Sequence, residues 1–235
     1  METIVVTAVI LPHAGPGRRT ARSWWWRRHT LGRMTDVSTA ATAVVADLAG
    51  RARVAARHVA LLSRARKDEV LAGLADALDA ATERIGAANA EDLKRGRDGG
   101  MPKSLQDRLA LTPPRIAAIA SALREIAALP DPVGEIVRGS TLANGLQIRQ
   151  VRVPMGVIGM IYEARPNVTV DAAGLALKSG NAVILRGGSA AASSNRVLVD
   201  VMRDSLAAQG ISPDAIGLLD GGGHDAVRAL MTARG

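Results

Sequence analysis

The sequence contains no cysteine among its 235 residues. This absence excludes a disulfide framework, cysteine-ligated zinc or iron–sulfur, and any thiolate nucleophile supplied by the chain itself. The sequence also has no apolar run near the roughly 20 residues that a membrane helix needs, so no transmembrane helix is predicted. With 48% apolar and 22% charged residues, the composition is typical of a globular protein with one or two cores.

The positive charge is concentrated near the N-terminus. Residues 1–33 carry six arginines against one glutamate, so +5 of the net +8 lies there and only +3 in the remainder. Arginines flank the tryptophans at 24–26, a combination that suits RNA bases or a membrane interface. The alternative, which we favour for residues 1–33, is a disordered or non-native extension before a second possible start at Met34. Export is not predicted, because the apolar run precedes the charges instead of following them.

Residues 34–132 are predicted to be helical, because they are rich in alanine and leucine with apolar residues at helical spacing. We expect helices over 40–63 and 67–84, followed by a break at 99–102 where two glycines and a proline occur. A further helix is expected from Pro113 to just before Pro130. Its N-cap is Thr112, and a proline fits the first helical position.

The remainder alternates between strand and helix patterns. Residues 133–153 are predicted to form a β-hairpin around Asn144-Gly145, a pair that accepts the positive φ angles of a tight turn. In residues 154–235, apolar runs at 155–162, 182–185 and 216–219 predict buried strands, with helices over 168–178, 193–209 and after Gly223. We therefore predict an α/β fold: N-terminal helices, a β-hairpin, then a doubly wound parallel βαβαβα sheet.

Three loops follow the predicted parallel strands, at residues 163–167, 186–189 and 221–223. Open parallel sheets bind ligands at this edge, where loops lead into helix N-termini. The glycines and the cation of Arg186 indicate a phosphate-bearing ligand such as a nucleotide. Neither G-x-G-x-x-G nor G-x-x-x-x-G-K-[ST] is present, however, and a purely geometric need for glycine is an equal alternative.

Two segments carry a specific resemblance. Residues 153–171 read VPMGVIGMIYEARPNVTVD and residues 177–189 read LKSGNAVILRGGS, preceded by LALTP at 109–113 and LPDPVG at 129–134. Together they closely resemble the γ-glutamyl phosphate reductases, also called glutamate-5-semialdehyde dehydrogenases, of the aldehyde dehydrogenase superfamily. The resemblance extends from about Met34 to the last residue. It implies that 34–235 form part of a cofactor-binding domain, divided into 34–132, 133–153 and 154–235.

The resemblance implies NADPH-dependent reduction of L-glutamate 5-phosphate to L-glutamate 5-semialdehyde in cytoplasmic proline biosynthesis. Glutamate 5-kinase would be the pathway neighbour and the full-length form a homo-oligomer; no metal, nucleic-acid or membrane partner is implied. In this family a cysteine thiolate attacks the acyl phosphate. That cysteine lies in the second half of the enzyme, so we expect the catalytic domain to be absent and this chain alone to be inactive.

Two further expectations follow from the absence of the second half. The chain is alternatively a non-catalytic nucleotide-binding remnant or a regulatory partner. The strand at 216–219, or its neighbours, should also be exposed at the edge of the incomplete sheet.

The resemblance also assigns roles to individual residues. Asn167 matches the asparagine whose amide serves the oxyanion, with a helix N-cap as the alternative. Arg186 matches a position that contacts the cofactor ribose or its 2′-phosphate, and a guanidinium suits NADPH there. Glu163 and Arg165 would face the charges of the substrate or pair with each other. The expected cofactor-binding residues are Arg186, Gly187, Gly188, Ser189, Gly221 and Gly222.

Overall fold

The computed structural model describes residues 7–11 and 39–233. These ranges contain six strands and eight α-helices, and none of the helices is both long and apolar enough to cross a membrane. In chain order the elements are β1 (Thr7–Leu11), α1 (Thr39–Val59), α2 (Arg64–Ala80), α3 (Thr82–Asp98), α4 (Lys103–Leu109), α5 (Pro113–Ala128), β2 (Ile136–Thr141), β3 (Gln147–Val151), β4 (Val157–Ile161), α6 (Pro166–Lys178), β5 (Ala182–Arg186), α7 (Ala192–Ala208), β6 (Ile216–Leu218) and α8 (Gly223–Thr232).

The helical part is confirmed, with differences at the helix ends; the helix predicted over 40–63, for example, ends at Val59. The helix predicted over 67–84 ends at Ala80, and α3 begins at Thr82, whose hydroxyl donates to the Asp79 carbonyl at 2.7 Å. The short helix α4 was not predicted, because it follows the glycines and proline that suggested a break. Thr112 is the N-cap of α5 and Pro113 its first residue, as predicted, but the Thr112 hydroxyl makes no capping hydrogen bond.

The doubly wound sheet is also confirmed. Strands β4, β5 and β6 pair in parallel in that order, and α6 and α7 connect them. Residues of β5 alternate between two apolar clusters: Ala182 and Ile184 pack with α1 and α8, while Val183 and Leu185 pack with α2, α5, α6 and α7. This burial of both faces explains why the strand is a continuous apolar run.

One strand lies in the N-terminal range that we expected to be disordered or non-native. Thr7–Leu11 forms β1, which pairs antiparallel with β4 at the edge opposite β5. The structure gives these five residues a strand, in which an apolar segment pairs with the free backbone groups of β4. The prediction of a disordered or non-native extension for 1–33 is otherwise untested. The Arg/Trp cluster at 18–33 and the second possible start at Met34 lie outside the described residues.

The expected exposure of the strand at 216–219 is wrong. Ile216 is 0% exposed and Leu219 is 3% exposed. β6 lies at the edge of the described sheet, but α1, α7 and the 3₁₀ turn Pro213–Ala215 contact it. Position at an edge leaves backbone groups unpaired, whereas helices packed over both faces still bury the side chains.

The hairpin exposes more apolar surface than β6 does. β2 and β3 pair antiparallel, and the side-chain oxygen of Asn144 accepts the Leu146 N–H at 3.1 Å in the connecting turn, so the predicted hairpin is confirmed. Every residue of both strands is exposed. The exposed apolar side chains on and around the ribbon are Ile136, Val137, Leu142, Leu146, Ile148 and Val151.

Two buried lysines fix the base of the hairpin and the end of α6. Lys67 on α2 donates to both carboxylate oxygens of Asp131, at 3.0 and 2.8 Å, in the linker between α5 and β2. Lys178 at the end of α6 donates to Asp68 at 2.5 Å and to the Ala127 carbonyl at 2.6 Å. Both ammonium groups are buried. Lys67 ties α2 to the linker before the hairpin, and Lys178 ties α6 to α2 and α5.

Candidate functional site

The three loops after the parallel strands lie side by side. The Tyr162 N–H donates to the Arg186 carbonyl at 3.1 Å, and the Leu219 N–H donates to the Leu185 carbonyl at 2.8 Å. These bonds continue the ladder beyond the strand ends, so the loops leave the sheet in register. This is the edge at which open α/β sheets bind ligands.

A cavity lies where the first of these loops meets α4 and α5. Its volume is about 510 Å³, and we call it the Asn167 cavity. Its wall is apolar along α5, where Ile119 contributes, and at Leu111 in the linker between α4 and α5. The polar residues that line it are Asp107, Arg108, Arg115, Arg165, Asn167 and Asp171.

Asn167 does not cap a helix. α6 begins at Pro166 with Arg165 as its N-cap residue, so Asn167 is the second helical residue and the N-cap alternative is wrong. Its amide nitrogen donates to Asp171 Oδ2, one turn further along α6, at 3.3 Å. An amide nitrogen carries two N–H groups, so one remains to donate to a ligand in the cavity.

Glu163 and Arg165, which we expected to face the substrate, have different surroundings in the structure. Arg165 lines the Asn167 cavity, whereas Glu163 is exposed and does not. Within residues 39–233 no ion pair joins Glu163 and Arg165, so the alternative of an internal ion pair is wrong. Arg165 is thus a partly buried guanidinium at the cavity wall.

A second cavity of about 180 Å³ lies between the loops after β5 and β6, and we call it the Arg186 cavity. The Arg186 Nε is buried and has no hydrogen-bond partner in the described residues, while its Nη1 donates to the Gly187 carbonyl. Asp220 also lines this cavity, but Arg196 Nε binds its carboxylate at 3.0 Å and offsets its charge. The cavity therefore has a guanidinium at its wall, one of whose donors is buried without a partner in the described part of the chain.

The expected cofactor-binding glycines have different environments. Gly187, Ser189 and Gly221 line the Arg186 cavity, while Gly188 does not and Gly222 lines a separate cavity beside α1. A Cβ on Gly187 would lie 2.2 Å from Asn195 Nδ2, and one on Gly188 would lie 3.2 Å from the backbone of the neighbouring loop. Packing thus accounts for both of these glycines, as the geometric alternative proposed.

The N-terminus of α7 is not open to a phosphate. Asp92 from α3 is 0% exposed, and its carboxylate accepts the N–H groups of Ser193 at 3.1 Å and Ser194 at 2.8 Å, and the Ser194 hydroxyl at 2.7 Å. Asp92 also pairs with Arg95, so the first-turn donors already have an acceptor whose charge is offset, and they are not free to bind a phosphate. The end of α7 is therefore not an anion site, and Arg186 is the cation that lines the cavity without an acidic partner among the described residues.

A buried polar chain supports both cavities. Thr169 on α6 donates to Asn195 Oδ1 on α7 at 2.8 Å, so the Tyr162 hydroxyl donates to Thr169 Oγ1 at 2.7 Å. Burial raises the pKa of Tyr162 to about 12, although its hydrogen bond and Arg186 oppose this, so the phenol stays protonated. The chain ties Asn195, which lines the Arg186 cavity, to the helix that carries Asn167.

Sequence reasoning missed several polar residues of this region, among them Asp171, Arg108, Arg115 and Asp92. Asp171 had a signal, since it stands four residues after Asn167 on a predicted helix and therefore shares its face. Arg108, Arg115 and Asp92 had none, because their positions depend on how α3, α4 and α5 pack against the sheet.

Comparison with known proteins agrees with this architecture. The family model described as the aldehyde dehydrogenase family matches residues 27–235. The curated γ-glutamyl phosphate reductase of Kineococcus radiotolerans is 59% identical over 206 residues, covering 88% of this chain and 48% of the relative. That of Thermobifida fusca is 56% identical over 202 residues, covering 86% and 47%.

A solved structure shows the same fold. The crystal structure of γ-glutamyl phosphate reductase from Thermotoga maritima superposes with a TM-score of 0.77 at 36% identity, covering 79% of this chain and 45% of that one. The chain spans about half the length of the curated relatives that it matches. The resemblance seen in the sequence is confirmed, and the chain belongs to the aldehyde dehydrogenase family.

Proposed function

We propose that this chain provides the cofactor-binding side and the oxyanion donor for NADPH-dependent reduction of L-glutamate 5-phosphate to L-glutamate 5-semialdehyde, in proline biosynthesis. The observation that carries the proposal is the position of Asn167, whose amide lies in a cavity of about 510 Å³ beside Arg165. An amide N–H stabilises a carbonyl oxygen as it becomes an oxyanion, and such a donor contributes about 10²- to 10³-fold in rate. The names of the curated relatives support the same reaction.

The reaction needs a nucleophile that this chain does not supply. In the proposed chemistry a thiolate attacks the acyl carbon, the bond to the phosphate oxygen breaks, and hydride transfer then reduces the thioester to the aldehyde and frees the thiolate. The sequence has no cysteine. We therefore infer that the 235-residue chain alone does not turn over, and measurable NADPH-dependent turnover by the purified chain would contradict this. The absence of cysteine equally favours the alternative of a nucleotide-binding chain without catalysis.

The Arg186 cavity suits the phosphorylated ribose of a nicotinamide dinucleotide, which would supply the hydride when bound. The buried and unpartnered Arg186 Nε fits an anionic group of the cofactor, and the 2′-phosphate of NADP is such a group. Ser189 and Gly221 would line the same face of the nucleotide. In an oligomeric full-length form, the exposed apolar ribbon of β2 and β3 is the surface that we propose for contact between copies.

The assignment of Arg186 is tested by comparing how tightly the chain binds NADP⁺ and NAD⁺. We expect the chain to bind NADP⁺ about tenfold more tightly than NAD⁺, because a charge-assisted hydrogen bond to phosphate is worth about 1.5–3 kcal/mol. Arg186→Gln should bring the two dissociation constants close together, mainly by weakening NADP⁺. Isothermal titration calorimetry measures both. Arg228→Gln, at an exposed position on α8, is the matched control and should keep the preference.

Two results would contradict the assignment. An unchanged preference in Arg186→Gln would place the 2′-phosphate elsewhere. Equal binding of NADP⁺ and NAD⁺ by the unmodified chain would remove the specificity for NADP.

A further inference from the structure

The Asn167 cavity contains a carboxylate without a cation and guanidinium groups without an anion. Asp171 lines the cavity from α6, and its one partner is the Asn167 amide at 3.3 Å; no lysine or arginine among residues 39–233 pairs with it. Arg108 and Arg165 also line the cavity, and neither side chain has a hydrogen bond or ion pair in the described ranges. Arg115 differs, because Asp107 holds it at 2.9 Å.

This arrangement is unfavourable in the empty cavity. Burial raises the pKa of the Asp171 carboxyl, and the hydrogen bond from Asn167 only partly opposes the effect. A partly buried carboxylate normally pairs with a cation or gathers several donors. Asp171 has only one long hydrogen bond, from a neutral amide. The missing partner is a cationic donor that enters from the cavity.

We propose that Asp171 binds the α-ammonium group of an amino-acid substrate, and that Arg108 and Arg165 bind its anionic groups. The inference rests on the proposed function, since L-glutamate 5-phosphate carries one ammonium, one α-carboxylate and one phosphate. One carboxylate and two guanidiniums complement these three charges. Asp171 is thereby a specificity-determining residue, which selects an α-amino acid over an acyl phosphate without an amino group.

The separation of the two α6 side chains fits this substrate. Asp171 and Asn167 lie 3.3 Å apart at their polar atoms. With hydrogen bonds of about 2.9 Å at each end, the ligand ammonium and the reacting carbonyl oxygen can lie up to about 9 Å apart. In a glutamyl group the ammonium and the phosphorylated carbonyl are separated by an extended chain of three carbons, which is shorter than this limit. Both contacts can form at once.

The test compares two ligands that differ by one amino group. L-Glutamate and glutarate are titrated into the ¹⁵N-labelled chain, and dissociation constants are read from the shifts of backbone amide signals around the Asn167 cavity. We expect L-glutamate to bind at least about tenfold more tightly than glutarate, the ratio that one charge-assisted hydrogen bond provides. Asp171→Asn should remove this preference and leave glutarate binding nearly unchanged. Arg108→Gln should weaken both ligands alike.

Two further variants separate direct binding from indirect effects. Asn167→Ala should keep the preference for L-glutamate if Asp171 contacts the ammonium itself, and should lose it if Asp171 acts only through Asn167. Asp171→Glu keeps the charge and should retain part of the preference. Because burial disfavours the ionised Asp171, Asp171→Asn should melt at pH 7 no lower than the unmodified chain, so loss of selectivity in a folded variant is interpretable.

The inference is overturned if the unmodified chain binds both ligands equally or binds neither, or if Asp171→Asn keeps the preference. A titration with NADP⁺ on the same samples distinguishes this failure from that of the proposed function. If NADP⁺ binds and the glutamate preference is absent, only the role of Asp171 falls. If neither NADP⁺ nor L-glutamate binds, the proposed function falls as well.

Discussion

Replacing Asp92 with alanine should lower the free energy of unfolding by about 4 kcal/mol, because it removes a fully buried carboxylate that several donors need. Two N–H groups of the first turn of α7 and the Ser194 hydroxyl lose their acceptor. The favourable interaction of a negative charge with the helix N-terminus is lost with them. Urea unfolding followed by circular dichroism at 222 nm measures the change.

Two further variants serve as comparisons for the stability loss of Asp92→Ala. Asp92→Asn keeps one acceptor oxygen without the charge and should cost about half as much, roughly 2 kcal/mol. Glu91→Ala changes the neighbouring exposed carboxylate on α3 and should stay within about 0.5 kcal/mol of the unmodified chain. A loss below about 1 kcal/mol for Asp92→Ala would show that α7 does not depend on this internal anion.

The second large effect is expected at Lys67. The Lys67 side chain is 1% exposed and its partner Asp131 is 14% exposed, so Lys67→Met leaves a nearly buried carboxylate without its cation. We expect a loss of about 3 kcal/mol, the low end for a broken buried pair, since Asp131 keeps some contact with water. Lys94→Met is the matched control: Lys94 pairs with Asp98 at 2.8 Å on the surface and should cost about 0.5 kcal/mol or less.

The Lys67 pair also predicts a dependence on pH. Burial acts to raise the pKa of Asp131, but the hydrogen bonds from Lys67 and from the Val133 N–H outweigh it and hold the pKa below its usual value. A lowered folded-state pKa gives stability above the unfolded pKa of about 3.9, which is lost as the pH falls through the folded value. The difference between the unmodified chain and Asp131→Asn should therefore be complete near pH 7 and shrink below about pH 4.

Other results would contradict the view that the buried Lys67–Asp131 pair stabilises the fold. If Lys67→Met and Lys94→Met lower the free energy of unfolding by the same amount, burial of the Lys67–Asp131 pair adds nothing to its effect on stability. Replacing both partners, as Lys67→Met with Asp131→Leu, should recover much of the loss, because no buried charge then lacks a partner.

The sheet could be predicted from the sequence because the local residue pattern of its strands agrees with their burial in the fold. The run at 182–185 is apolar at every position, and both faces of β5 are buried in the structure. Gly180 after Lys178 correctly predicted the end of α6. The break at Ala81 could not be predicted, since alanine favours helix and the break depends on how α2 and α3 pack. The pairing of β1 with β4 joins residues far apart in sequence, which periodicity does not show.

The site was predicted only where its residues are close in the chain. Asn167, Arg165 and Arg186 were assigned through the family resemblance of the motifs that follow the strands. The structure places each of them at a cavity, and their roles stay predictions. Arg108 reaches the Asn167 cavity from α4, a helix of seven residues that no sequence pattern indicated. Gly188 was assigned to the ligand from its motif, whereas its contact with the Glu163–Ala164 backbone shows a packing role.

The most direct test is to locate NADP⁺ on the chain itself. In a titration of the ¹⁵N-labelled chain, we expect saturable shifts of the backbone amides of Arg186, Gly187, Ser189, Asn195 and Gly221, the residues of the Arg186 cavity. The hairpin amides at 136–141 should not move. Shifts confined to other surfaces, or none at millimolar NADP⁺, would contradict the claim that this edge of the sheet binds the cofactor.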